Sequence, residues 1–381
     1  MIYYIIAGEA SGDLHGSNLI KQLQTQDPSA EIRCWGGDLM QATGATVVKH
    51  YRDLAFMGFA EVIKNLPTIF GNLKWCKEDI LRFKPDALIL IDYPGFNLRI
   101  AEWAKQQGLK VIYYISPQVW AWKASRVKKM KTCIDLMLCI LPFEKAYYRD
   151  NWNWEVDYVG HPLIEVIEDF KYSQSTKSGD QGNDEILPDS NQPIIALLPG
   201  SRKQEIAKKL PIMLSVADYF TAYQFVVAKA PGQDDEFYAP FLTGHNNVSV
   251  VKNSTYELLL KSSAALVTSG TATLETALFS VPEIVCYKGS SISYQIAKRL
   301  IRIKYISLVN LIMDKEVVKE LIQDELNTKN LVASLQELMN NQEKQEQLQK
   351  EYTRLKEVLT AGGHASEQAA AKILLFLRGN H

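Results

Sequence analysis

Short apolar runs alternate with amphipathic stretches along most of the chain. Ile2–Ala7, Ala87–Ile91, Lys110–Ile115 and Leu136–Ile140 are apolar along almost their whole length, as expected of strands buried on both faces of a parallel sheet. Between them, Asp13–Gln24 and Leu98–Gln107 have helical spacing, the second stopped by Gly108. After Gly160-His161-Pro162 the rhythm breaks. Ser173–Pro193 is rich in Ser, Asp, Asn, Gln and Gly and reads as a loop or linker. The rhythm then restarts. Ile194–Leu198, Gln224–Ala230, Val248–Val251, Ala264–Thr268 and Glu283–Tyr287 read as strands, and Glu205–Phe220 and Thr271–Phe279 as helices. Ser254-Thr255-Tyr256-Glu257 has the capping-box pattern and opens a helix to Ser262. From Asp314 onward the pattern is helical throughout, broken at Gly362-Gly363. Ser366–Leu377 carries an Ala/Leu face that must dock on something.

This rhythm describes two successive α/β halves, and 381 residues suit two domains. The expected division is 1–170, a polar linker or insertion at 171–193, a second domain at 194–350, and C-terminal helices at 351–381 docking on the first domain. Two such domains facing each other would leave a cleft at the carboxyl ends of their strands, where open α/β sheets bind ligands. The formal charge is −1, and a dedicated nucleic-acid binder usually carries a basic excess. The five cysteines are scattered, without a Cys-x-x-Cys pair, so neither a zinc site nor a disulfide framework is expected. The opening Met-Ile-Tyr-Tyr-Ile-Ile-Ala-Gly-Glu reads as a buried strand rather than a signal peptide. No apolar run is long enough to span a bilayer.

Five segments carry candidate chemistry. Gly8-Glu9-Ala10-Ser11-Gly12-Asp13 follows a strand and opens a helix. Its glycine spacing is wrong for a dinucleotide fingerprint, and its acids suit sugar hydroxyls better than a pyrophosphate. The alternative is that Ser11 or Asp13 merely caps the helix. Asp92 directly follows the run Ala87–Ile91 and is a general-base candidate at a strand's carboxyl end, or else a turn and cap residue. In Tyr113–Lys131, the stretch Ser116–Trp122, with Trp120 and Trp122, is followed by Lys123, Arg126, Lys128, Lys129 and Lys131. That mixture fits a phosphate or an anionic membrane surface, or simply a solvated helix face. Gly200-Ser201-Arg202 offers turn amides and a guanidinium. Ser269-Gly270-Thr271 opens a helix with Glu275 one turn in. Together these two turns describe a nucleotide-diphosphate pocket, with amides and Arg202 on the pyrophosphate and Glu275 on the ribose. Walker A, His-Glu-x-x-His, Gly-x-Ser-x-Gly and Asp-x-Asp patterns are absent, so no metal and no cofactor is expected.

With these motifs in order, the sequence resembles the lipid-A-disaccharide synthase family, inverting glycosyltransferases of the two-domain GT-B fold. The matching pieces include Ala7–Asp13, Met57-Gly58-Phe59-Ala60-Glu61-Val62, Ile91–Asn97, Ser116–Trp122, Leu141–Lys145, Gly160-His161-Pro162, Leu198–Arg202, Ser269–Ala272 and Leu308–Leu311. The resemblance implies two Rossmann-like doubly wound α/β domains, with the C-terminal helix returning to the first. It implies transfer of a 2,3-diacylglucosamine unit from UDP to the 6-hydroxyl of 2,3-diacylglucosamine 1-phosphate, giving a β(1→6) disaccharide and UDP. Asp92 falls on the family's proposed base, and Glu9 and Ser11 on its catalytic loop. Gly200, Ser201, Arg202, Ser269, Gly270, Thr271, Glu275 and Asn310 fall on the UDP side. Gly95 stands where many relatives carry a second Asp.

Substrates bearing acyl chains imply peripheral contact with the cytoplasmic face of the inner membrane. Candidates for the acceptor and membrane side are Phe56, Met57, Phe59, Val62, Trp120, Trp122, Lys123 and Arg126, with Phe56–Trp75 unusually rich in large apolar residues. No nucleic-acid partner is expected, and a homodimer is left open. Two other readings stand beside this one. One is a UDP-sugar enzyme of the same fold with a soluble substrate, such as a 2-epimerase; the other is a non-catalytic UDP-sugar-binding protein.

Overall fold

A computed structural model describes residues 1–54, 66–176, 192–230, 232–290 and 304–379. The chain forms two compact units, Met1–Pro162 with Leu359–His381, and Leu163–Val358. Composition suggests boundaries at 170 and 351; the chain crosses after 162 and after 358. Phe56, Met57, Phe59, Val62 and most of the polar stretch lie outside the described residues. Residues 171–176, assigned to the linker by composition, complete the helix Pro162–Thr176.

In the first unit, β1 (Ile2–Ala7), β2 (Glu31–Gly36), β3 (Thr46–His50), β4 (Ala87–Ile91), β5 (Val111–Tyr114), β6 (Leu136–Cys139) and β7 (Asp157–Tyr158) form one sheet. Their order is β3-β2-β1-β4-β5-β6-β7, with every pairing parallel. Both faces are buried. Tyr3, Ile5 and Ala7 enter a core with Leu19, Ile20, Ala369, Ile373 and Leu374. Tyr4 and Ile6 enter another with Trp35, Cys76, Ile80 and Ile100. The expected docking of the last segment is thus seen in the helix Ala365–Leu377, which covers one face. Backbones meet where the chain returns: a Cβ on Gly160 would lie 2.3 Å from the Gly363 carbonyl oxygen. Three strands escape the apolar-run criterion, β2, β3 and the two-residue β7. In β2 the interruption is Arg33, which makes a two-pronged bond to Asp79 at 2.8 and 2.7 Å, while Asp79 also accepts from the Tyr4 hydroxyl.

In the second unit, β8 (Ile194–Leu198), β9 (Gln224–Lys229), β10 (Val248–Lys252), β11 (Ser262–Thr268), β12 (Glu283–Tyr287) and β13 (Lys319–Ile322) are ordered β10-β9-β8-β11-β12-β13. All pairings are again parallel. β13 corrects the all-helical reading of the C-terminal part; its charged Lys319 and Glu320 are tolerated because it is an edge strand. Ser254 does precede the helix Thr255–Lys261, yet its side chain does not cap it. The residue sits at φ −126°, ψ 38°, and its hydroxyl donates back to the Lys252 carbonyl. The expected helix Glu205–Phe220 is Lys203–Leu214 followed by a single tight turn, Ala217–Tyr219. All five cysteines are buried and unbridged.

Candidate active site

Each sheet reverses its winding direction once, between β1 and β4 in the first unit and between β8 and β11 in the second. Loops leaving adjacent strands on opposite faces open a crevice there, and this is where doubly wound sheets take ligands. The candidate segments at 8–13 and 92–97 follow β1 and β4; those at 199–202 and 269–271 follow β8 and β11. Both switch points therefore carry the loops singled out by sequence.

At the first switch point, Ala7 pairs with Ile91, so Glu9 and Asp92 leave neighbouring strands. Glu9 and Ser11 are exposed on the first turn of the helix Ala10–Gln26. Gly8 is required by a close approach: a Cβ there would lie 2.3 Å from the Tyr93 ring. Burial pushes the Asp92 carboxyl up to about 6, the nearby Glu9 charge pushes the same way, and the Tyr93 amide opposes them. A carboxylate poised near neutrality is suited to accept a proton in a reaction. Asp13 serves a different end. Its carboxylate accepts from the amides of Gly37, Leu39 and Met40 at 2.7–3.1 Å, capping the short helix Asp38–Ala42 rather than its own.

The Trp120 and Trp122 segment divides. Trp120 donates to Glu144 at 3.1 Å and stands edge-on to Phe143, so it is a fixed part of the unit. Glu144 is fully buried, and burial raises its carboxyl to about 7 against the bonds from the Leu141 amide and Trp120. Trp122 is 57% exposed, with the Lys123 ammonium 3.8 Å from its ring centroid and the Arg126 guanidinium 6.0 Å away. Part of the basic run is engaged elsewhere: Lys129 pairs with Glu102 at 2.6 Å, and Lys131 donates to the carbonyls of Trp152 and Asn153.

At the second switch point, Gly200 has φ 115° and Gly270 φ 132°, values that only glycine adopts readily. Ser201 and Thr271 are exposed. Arg202 is also exposed, 3.7 Å from Glu205. The amides opening the helix Thr271–Leu278 favour an anion. Glu275 is half-buried, accepts from the Tyr256 hydroxyl at 2.8 Å, and is raised by burial. The Ser269 hydroxyl already donates to the Ile306 carbonyl at 2.7 Å. Asn310 is held within its own unit. Its amide nitrogen donates to the Val318 carbonyl and to Glu320, and its oxygen accepts from the amides of Val317 and Val318. That uses the hydrogen-bonding capacity of its side chain and braces the segment Asn310–Glu320.

One residue here went unnoticed in the sequence. Lys209 is buried under both loops: its ammonium donates to the Thr268 hydroxyl, and a Cβ on Gly200 would lie 3.5 Å from it. Burial lowers its pKa. The signal was available, since Lys209 falls on the same helical stripe as Ile206, Leu210 and Met213, all buried.

Among the described residues there is no group of three or more His, Cys, Asp or Glu able to hold a metal ion. No helix among them is long and apolar enough to cross a membrane.

Two doubly wound α/β units, each with a fully parallel sheet, define a chain of the GT-B fold class. The fold is similar to a UDP-GlcNAc 2-epimerase from Neisseria meningitidis solved with UDP-GlcNAc (TM-score 0.70, 14% identity, all of both chains). It is also similar to the glycotransferase of kitacinnamycin (TM-score 0.66, 14% identity, 99% of each chain). The model of the family described as lipid-A-disaccharide synthetase matches residues 3–374. Lipid-A-disaccharide synthases from Trichlorobacter lovleyi and Syntrophus aciditrophicus are 36% and 37% identical. The alignments cover 97% and 98% of this chain, and 96% and 97% of those proteins. The chain belongs to the lipid-A-disaccharide synthetase family and is a glycosyltransferase of lipid A biosynthesis.

Proposed function

We propose that the protein joins UDP-2,3-diacylglucosamine to 2,3-diacylglucosamine 1-phosphate, forming a β(1→6) disaccharide and releasing UDP. Asp92 takes the proton of the acceptor's 6-hydroxyl as that oxygen bonds to the anomeric carbon and the bond to the diphosphate oxygen breaks. Attack from the face opposite the leaving group inverts the anomeric configuration. Glu9 and Ser11 meet the sugar hydroxyls beside Asp92. The turns Gly200-Ser201-Arg202 and Ser269-Gly270-Thr271 take the diphosphate through backbone amides and the guanidinium, stabilising the charge that develops on UDP. Glu275 takes the ribose diol.

The observation that carries the reading is Asp92 at the first switch point, half-buried beside Glu9 and held near neutrality, in a chain of this family. The acyl-chain side is supported by the helix Leu66–Phe83. There Leu73, Cys76 and Ile80 face the core, while Phe70 and Trp75 are 59% and 41% exposed. A groove of about 550 Å³ beside it is lined by Phe70, Leu81 and Trp103 with Lys74, Lys77 and Arg99, and also by Glu78 and Glu102, of which Glu102 is paired with Lys129. Together with Trp122, Lys123 and Arg126, this gives apolar and cationic groups of the kind that hold a protein reversibly on an anionic bilayer at the cytoplasmic face of the inner membrane.

The test is incubation with the UDP-linked donor and the lipid acceptor. Disaccharide and UDP should appear in equal amounts. UDP binding without turnover would indicate a binding protein, and donor epimerised without acceptor would indicate an epimerase; either result overturns the proposal.

A further inference from the structure

Asp92 does not simply continue the strand. Its amide stays in the ladder, donating to the Tyr114 carbonyl at 3.1 Å. Its backbone then turns into the left-handed region, with φ 44° at Asp92 and φ 49° at Tyr93. Two successive non-glycine residues there are strained and persist only when their surroundings impose it. Ile115, at the end of neighbouring β5, has φ 68°, a value rare for a β-branched side chain.

Two buried side chains impose the turn. The Tyr113 hydroxyl donates to the Asp92 carbonyl at 2.6 Å. The Asn97 amide donates to the same carbonyl at 2.8 Å and to the Ile91 carbonyl at 3.1 Å. Both residues are fully buried. The Asn97 side-chain oxygen has no hydrogen-bond partner among the described residues. An orphaned buried acceptor is unfavourable, and it is kept here for what the nitrogen of the same amide does.

We propose that Tyr113 and Asn97 are positioning residues for the base. They draw the Asp92 carbonyl away from the ladder and so aim its carboxyl out of the strand line toward Glu9. Neither touches substrate; both act through the backbone of Asp92. The inference rests on the assignment of Asp92 as base.

The experiment compares Tyr113→Phe, Asn97→Ala and Asp92→Asn in the full chain. It records kcat, the KM for the UDP donor, the pH dependence of kcat/KM, and thermal melting. Tyr113→Phe keeps the ring and removes only the clamp's hydroxyl. Its kcat should fall about tenfold, in line with one lost hydrogen bond, with the donor KM unchanged. The acid limb of its pH profile should move down, toward the ordinary carboxylate range, as Asp92 relaxes from its buried place beside Glu9. Asn97→Ala should act in the same direction and serves as the readout if the Phe variant does not fold. A folded Tyr113→Phe or Asn97→Ala with parental kcat and an unmoved acid limb overturns the clamp. Full activity in Asp92→Asn overturns the base assignment and the clamp with it. An inactive Asp92→Asn beside a parental Tyr113→Phe removes the clamp alone.

Discussion

Glu283 offers the sharpest test of the energetics. It opens β12, is 1% exposed, and neither carboxylate oxygen has a hydrogen-bond partner among the described residues. Burial, and then the charge of Glu320, push its carboxyl well above the usual range. The folded form therefore holds its proton more tightly than the unfolded chain. The stability this group permits is complete below about 4.5, its ordinary value, and is lost as pH rises through the folded value. Glu283→Gln removes the titration, so it should match the parent at pH 4.5 and exceed it increasingly toward pH 8. Glu283→Met also removes the unsatisfied polar group, worth about 1–3 kcal/mol, at similar volume. At about 2–4 °C per kcal/mol for a unit of this size, the Met variant should melt roughly 2–12 °C above the parent at neutral pH. The assay is thermal unfolding followed by circular dichroism across that pH range. A Gln variant less stable than the parent, or an offset that does not vary with pH, would show that the carboxylate is ionised and well partnered, and would refute the reasoning.

Three further outcomes follow from the site. Asp92→Asn should retain UDP binding while turnover falls about 10²–10⁴-fold, and the parental kcat/KM should decline below pH about 6 as the base is protonated; both are read from steady-state kinetics. Arg202→Ala should weaken UDP binding by about 10- to 100-fold, the scale of a charge-assisted hydrogen bond, and Arg202→Lys should restore only part of it; calorimetric titration with UDP decides. Phe70→Ser combined with Trp122→Ser should reduce co-sedimentation with anionic liposomes, most clearly at high salt where the cationic contribution is screened. UDP affinity should be unchanged in that variant, because both residues lie in the first unit, and a parallel loss would show that they support the fold instead.

The strands that could be read from sequence are those whose side chains are apolar on both faces, such as Ile2–Ala7 and Ile194–Leu198, because burial on two sides leaves no place for a charge. Strands β2 and β13 were hidden because Arg33 and Glu320 sit in them. Arg33 is matched by Asp79; Glu320 accepts from Ile306, Ser307 and Asn310. Those partners are distant in sequence and exist only once the sheet has formed. The same logic governs the site. Asp92 was legible because a carboxylate directly after an apolar run marks a strand's carboxyl end. The bonds of Asn310 to Val317, Val318 and Glu320 were not legible, because an amide bonded inside its own domain cannot be told in sequence from one held out to a ligand. For Asp13 the sequence offers sugar hydroxyls or a cap of its own helix, whereas the helix it caps, Asp38–Ala42, begins well beyond it in the chain. Tyr113 opens the segment singled out for its aromatic and basic residues, but within an apolar run its ring explains its presence, and only the fold reveals what its hydroxyl reaches.

The return of the chain to the first unit has a consequence for biosynthesis. Ala369, Ile373 and Leu374 close the core over Tyr3, Ile5 and Leu19, so the earliest strands to be translated wait for the last helix. The whole of Leu163–Val358 is synthesised before the N-terminal sheet can be sealed. A premature stop near residue 360 would not trim a tail; it would uncover the part of the first sheet's face that the helix Ala10–Gln26 does not cover, leaving it open to water and to other chains. The nascent protein must therefore protect the first sheet until the helix Ala365–Leu377 arrives.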